Sequence, residues 1–158
     1  MTTSDTLTPI NDLHINDFCK DTAKIWLYLY MRFPQKNALY VEDIAGADEP
    51  DEFGLHSPRF QACFSTMLWL TEAGYLYYQQ PVNQEALEGA CLTQKAFILL
   101  SSSENHVTTA QKNISDKTIP VTSTAPRIQH LKHTLKHGSS EQLKTLILDS
   151  LSLPSGIK

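Results

Sequence analysis

The stretch Ser57-Pro58-Arg59-Phe60-Gln61-Ala62-Cys63-Phe64-Ser65-Thr66-Met67-Leu68-Trp69-Leu70-Thr71-Glu72-Ala73-Gly74-Tyr75-Leu76-Tyr77-Tyr78 decides how this chain is read. A serine followed by proline at the first helical position is a helix start: the hydroxyl takes a free backbone N–H, and the fixed φ of proline suits the first turn. Phe60, Cys63, Phe64, Met67, Leu68 and Leu70 then recur at helical spacing and form a broad apolar face. Gly74 stands where a helix ends in a left-handed residue. From Tyr75 to Gln80 the pattern turns aromatic and β-prone. Pro81-Val82-Asn83-Gln84 supplies turn residues, and Leu87 to Leu92 returns as a second strand with Gly89 at a bulge. A helix feeding a hairpin is the organising unit.

Upstream, Phe18, Thr22, Ile25, Trp26, Leu29 and Phe33 recur at helical spacing, with Asn16 or Asp17 as the expected cap and Pro34 as the stop. Ile25 to Met31 is apolar almost all round, so this helix must be covered on more than one side. Ala38 to Val41 reads as a very short strand and Glu42 to Ala45 as a short helix closed by Gly46. Ala47 to His56, acidic and holding Pro50 and Gly54, is a loop. Downstream, Thr93 caps a short helix from Gln94 to Leu100. Residues 104–126 are polar and poor in periodicity, and read as a linker. Arg127 to His137 is an amphipathic helix closed by Gly138. Ser139 with Gln142 forms a capping box that opens a last helix, carrying Leu143, Leu146, Ile147 and Leu151 on one face. Two short helices of this kind must dock on something to bury those faces.

The 158 residues are 41% hydrophobic and 19% charged, enough apolar content for one core. The longest apolar run is far below the roughly 20 residues of a membrane span. Three separated cysteines without a CxxC pair fit a reduced, cytoplasmic protein. No secretory signal pattern opens the sequence. The net charge of -4 hides a lopsided distribution: residues 37–92 hold nine acids against the single base Arg59, whereas residues 104–158 hold seven bases against four acids.

Leu39 to Ala45, Phe60 to Leu68, Leu70 to Leu76 and the closing Leu92-Thr93-Gln94-Lys95-Ala96-Phe97-Ile98-Leu99-Leu100 together resemble the winged helix-turn-helix superfamily, loosely its MarR-like regulators. The resemblance covers about residues 13–102. It implies an α+β, mostly helical fold: a core of three helices plus a β-hairpin wing, here with a C-terminal helical extension. The expected organisation is a flexible N-terminus over 1–12, the winged-helix domain over 13–102, a linker over 103–126, a helical pair over 127–153 and a tail over 154–158. Two features depart from the pattern. Ala96 stands where relatives carry glycine, and about ten residues separate the second and third helices where three or four are usual.

In DNA-binding relatives the third helix enters the major groove and the wing touches the backbone. Carried over, the resemblance puts Ser57, Arg59, Gln61 and Ser65 on the base-reading face, and Asn83 and Gln84 in a wing running from Gln79 to Glu88. Charge argues the other way. Phosphate contacts dominate affinity and come mostly from lysine and arginine, and this region offers only Arg59 among many carboxylates. A protein partner, itself basic, is therefore the first expectation, with Phe53 and Leu55 in the acidic loop and Tyr77 and Tyr78 on the hairpin as anchors. A dimeric regulator of duplex DNA is the competing class, and a small-molecule sensor with a ligand between the first helix and the hairpin is a third. A homodimer is expected through the first helix, the C-terminal helices or both. His130, His133 and His137 share a helical face, but the polar side of an amphipathic helix explains them better than a metal. No nucleophile, phosphate-loop or zinc-hydrolase motif is present, so no enzyme and no cofactor is expected.

Overall fold

The structure, a computed structural model, describes residues 10–103 and 125–153. The chain runs α1 (Leu13–Arg32), β1 (Asn37–Tyr40), α2 (Val41–Ala45), α3 (Pro58–Glu72), β2 (Leu76–Tyr77), β3 (Gln80–Val82), β4 (Ala86–Leu92), α4 (Gln94–Ser101), α5 (Arg127–His137) and α6 (Ser140–Ser152). It is α+β and mostly helical, with one small antiparallel sheet. No helix among the described residues is long and apolar enough to cross a membrane. The expected N-terminal segment, linker and tail fall largely outside the described residues, as does Pro154.

Strand β4 is the spine of the sheet. It pairs with β1 on one side, and with β2 and then β3 on the other. Leu39 lies opposite Leu87, and Leu76 opposite Leu92, all buried toward the helices. The hairpin turn is narrower than the sequence suggested. Pro81 and Val82 belong to β3, and only Asn83 (φ 49) and Gln84 (φ 59) turn the chain, with Glu85 N–H donating to Val82 O at 2.8 Å. Two successive left-handed residues give the tight turn whose twist suits paired strands. The bulge expected at Gly89 is present. The register to β1 slips between the pairs Asn37–Ala90 and Leu39–Leu87, and Gly89 adopts φ +70.

Helix α3 begins at Pro58 with Ser57 Oγ accepting from Phe60 N–H at 3.3 Å, and Gly74 follows its end at φ +84, as the sequence indicates. Helix α1 starts earlier than expected, at Leu13. Neither Asn16 nor Asp17 caps it, and the side chain of Asp12 at the cap position makes no capping bond. Its carboxylate is held instead by Lys144 Nζ of α6 at 2.6 Å, so a tertiary ion pair marks this helix end. The capping box of α6 is present, with Gln142 N–H donating to Ser139 Oγ and Ser139 N–H to Gln142 Oε1.

Helix α1 lies at the centre, packed by α3, α5, α6 and β4. Cys19, Ala23, Ile25, Trp26 and Leu29 share one core with Met67 and Leu70 of α3, Leu87 of β4, Leu100 of α4, Ile128 and Leu131 of α5, and Leu143 and Ile147 of α6. Most of the apolar surface of α1 is thus covered within the chain, by α5 and α6 together with α3 and β4. That apolar excess was the reason to expect a homodimer through these elements; Leu13 and Met31 of α1 and Leu148 of α6 stay exposed.

Candidate functional site

Helix α3, the acidic loop before it and the hairpin turn enclose an open cleft of about 540 Å³. Local chemistry shapes the loop. The Asp51 carboxylate accepts from the N–H groups of Phe53 and Leu55, each at 2.9 Å, and Gly54 takes φ +78. Such a side-chain-capped turn forms without help from the core. It throws Phe53 (79% exposed) and Leu55 (60% exposed) outward, so Phe53 does not pin the loop down. Leu55 lines the cleft with Phe60, Phe64 and Leu68 of α3, and Gln61, Ser65, Asn83, Gln84 and Glu85 supply its polar wall.

His56 joins the three elements. Its Nδ1 lies 3.0 Å from Asp48 Oδ2 in the loop and its Nε2 lies 3.0 Å from Glu85 Oε1 on the turn. The ring stacks on Phe60 with 3.9 Å between centroids, and its backbone carbonyl accepts from Gln61 Nε2 at 2.7 Å. Two carboxylates can both accept only if both ring nitrogens carry protons, so the geometry selects the imidazolium. The bond to Glu85, seconded by Asp48, holds His56 above the ordinary imidazole range, against partial desolvation. Asp48 is held below the ordinary carboxylate range, first by the Ser57 backbone N–H, at 2.8 Å, and then by the Ser57 and His56 side chains.

The expected residues divide sharply. Leu55, Gln61, Ser65, Asn83 and Gln84 come together in the cleft, although they were assigned to two competing surfaces. Ser57 is spent on capping α3. Arg59 is not available for phosphate: it turns back onto α1 and donates two bonds to Asp21, at 2.7 and 2.6 Å, with Asp17 at 3.8 Å. Asp21 is 1% exposed, so Arg59 is the counter-charge of a buried carboxylate. Tyr77 is exposed on β2 with Lys36 Nζ 5.8 Å from its ring, and Tyr78 is half-buried against the core; neither lines the cleft. As anchors, both lie apart from Leu55.

Sequence reasoning did not find the Asp48–His56–Glu85 bridge. Its members are 8 and 29 positions apart, and no periodic pattern links a loop to a turn. The three cysteines are buried, and burial pushes the Cys63 thiol up to about 12. That is the opposite of what a nucleophile needs. The rings of His133 and His137 lie 5.1 Å apart. Among the described residues no group of three or more His, Cys, Asp or Glu side chains is placed to hold a metal ion. No protein-family model, no curated protein and no solved structure matches this chain.

Proposed function

We propose that this chain is a non-enzymatic, winged-helix-type regulatory or adaptor protein whose α3–hairpin cleft binds a basic segment of a partner protein. The order of elements supports the winged-helix reading: helix, strand, two helices, hairpin, short helix. One observation carries the choice of partner. The face that would meet DNA offers Gln61, Ser65, Asn83, Gln84, Glu85 and the neighbouring Asp48, while Arg59, its one guanidinium, is committed to Asp21. Near a polyanion such a face repels; near a cationic peptide it attracts and steers. Leu55, Phe64 and Leu68 add an apolar bed on which an anchor side chain loses water.

The test compares two ligands on the full chain at low salt. Peptides carrying arginines and an apolar residue are expected to bind saturably and to shift the amide resonances of Gln61, Ser65, Asn83 and Gln84. Random duplex DNA is expected not to retard the protein. Retardation by duplex that falls steeply with salt and perturbs those same amides would replace this reading with the DNA-binding one. Arg59→Ala is unsuitable as the diagnostic variant. Stripping a buried carboxylate of its partner costs about 3–5 kcal/mol, so lost binding would report lost folding. Gln61→Ala touches the cleft without that cost.

A further inference from the structure

We infer that His56 is an internal stand-in for the partner's cation: on binding, a lysine or arginine side chain of the partner takes over the Glu85 carboxylate from the imidazole. This rests on the proposed cleft-binding function and names the group that recognises the partner.

Two carboxylates from separate elements converge on one ring, Asp48 from the loop and Glu85 from the turn, each at 3.0 Å. The chain has built a two-carboxylate seat for a cation and filled it with its own side chain, 12% exposed. The two carboxylates are not equivalent. Asp48 is also tied to the Ser57 N–H and is 21% exposed, whereas Glu85 is 48% exposed on the open side of the cleft. Glu85 is therefore the exchangeable one. Around the ring, the loop contributes Asp48, the hairpin contributes Glu85, and α3 contributes the uncharged Phe60 face, while the Gln61 amide donates to the His56 backbone carbonyl. The nearest arginine along the chain, Arg59, faces α1 instead. Beside the seat, Gln61, Ser65, Asn83 and Gln84 offer uncharged hydrogen-bonding groups, and Leu55, Phe64 and Leu68 offer the apolar bed. The fitting occupant is a short basic segment with one apolar side chain next to its cation.

A histidine filler differs from a lysine or arginine in one respect: it loses its charge within the physiological pH range. While protonated, it cancels one of the two carboxylate charges of the seat and competes for Glu85. Once neutral, it can no longer donate to both carboxylates, and Glu85 is released to an incoming cation. Proton and partner therefore oppose each other, and the coupling is reciprocal: the bound partner must lower the affinity of His56 for its proton.

The probe is a short labelled peptide of arginines around a single leucine, which has no side chain titrating near neutrality. Fluorescence anisotropy with the full chain is expected to show affinity rising about tenfold from about pH 5.5 to about pH 8.5, as the proton on His56 ceases to compete with the peptide. Glu85→Gln is expected to lose about tenfold of the high-pH affinity, and His56→Gln to give a flat pH profile. Nuclear magnetic resonance of the wild-type His56 ring needs no variant. Its titration is expected to move to lower pH when the protein is saturated with peptide. Equal wild-type affinity at both ends of the range, or a His56 titration that peptide leaves unmoved, would overturn the stand-in role while leaving cleft binding intact. Absence of saturable binding at every pH would overturn both.

Discussion

His56 and Arg59 lie three positions apart and do opposite jobs. Arg59 neutralises Asp21 at the α1–α3 contact and helps to fix the core. His56 ties loop to hairpin at the cleft. The bridge links stability to pH with a definite sign. The folded His56 binds its proton more tightly than in the unfolded chain, so its contribution is complete below the unfolded value of about 6.5 and fades as pH rises through the higher folded value. Asp48 is shifted the other way. Its contribution is present above the unfolded carboxylate value, about 3.9, and is lost as pH falls through its lower folded value. The urea midpoint of the wild type is therefore expected to exceed that of His56→Gln most clearly between about pH 5 and about pH 6.5, with the gap closing toward alkaline pH. A gap that widens with pH would contradict the bridge. The sequence shows a histidine and an acidic loop, but only folding brings Glu85 to the other side of the ring.

At the scale of elements, local rules carried far. Ser57-Pro58 opens α3, Thr93 caps α4 through Ala96 N–H, and Ser139 with Gln142 boxes α6. These ends are legible because a cap is chemistry between neighbours in sequence. The start of α1 was not legible, because Lys144, far along the chain, holds Asp12. Turn boundaries were half legible: Asn83-Gln84 turns the hairpin, but Pro81 and Val82 pair with Leu87 and Ala86. Gly89 combines both kinds of constraint. Its φ of +70 disfavours any side chain, and an added Cβ would lie 2.7 Å from the Gln79 side chain. Gly89→Ala is expected to lower stability by about 1–2 kcal/mol, measured by chemical unfolding. Truncating Gln79 as well should recover only part of that, because the backbone strain stays.

Over the whole molecule, the C-terminal pair completes the core and does not stand apart from it. Ile128, Leu131, Leu143 and Ile147 pack in one cluster with Trp26 and Leu29. Leu131 is fully buried, and Leu131→Ala is expected to cost about 2–5 kcal/mol. The loss should lower the midpoint of one common transition, followed equally by near-ultraviolet signals from Trp26 and Trp69. A separate early transition would instead mark α5 and α6 as an independent unit. The sequence required that α1 be covered on several sides and that two amphipathic helices find a surface, but left open whether one need met the other within a chain or between chains.

By itself the sequence determined the type and order of most elements, the acidity of the middle segment, and the apolar faces that had to be buried. Those properties are set by residues within a few positions of one another, through period, capping and turn chemistry. Tertiary structure alone decided which charges are available and which are spent. It turned Arg59 inward to Asp21, closed His56 between Asp48 and Glu85, and gathered Leu55, Gln61, Ser65, Asn83 and Gln84 into one cleft. The physical reason is distance: an ion pair acts over a few ångströms in space, and nothing in local sequence specifies which residues folding will bring that close.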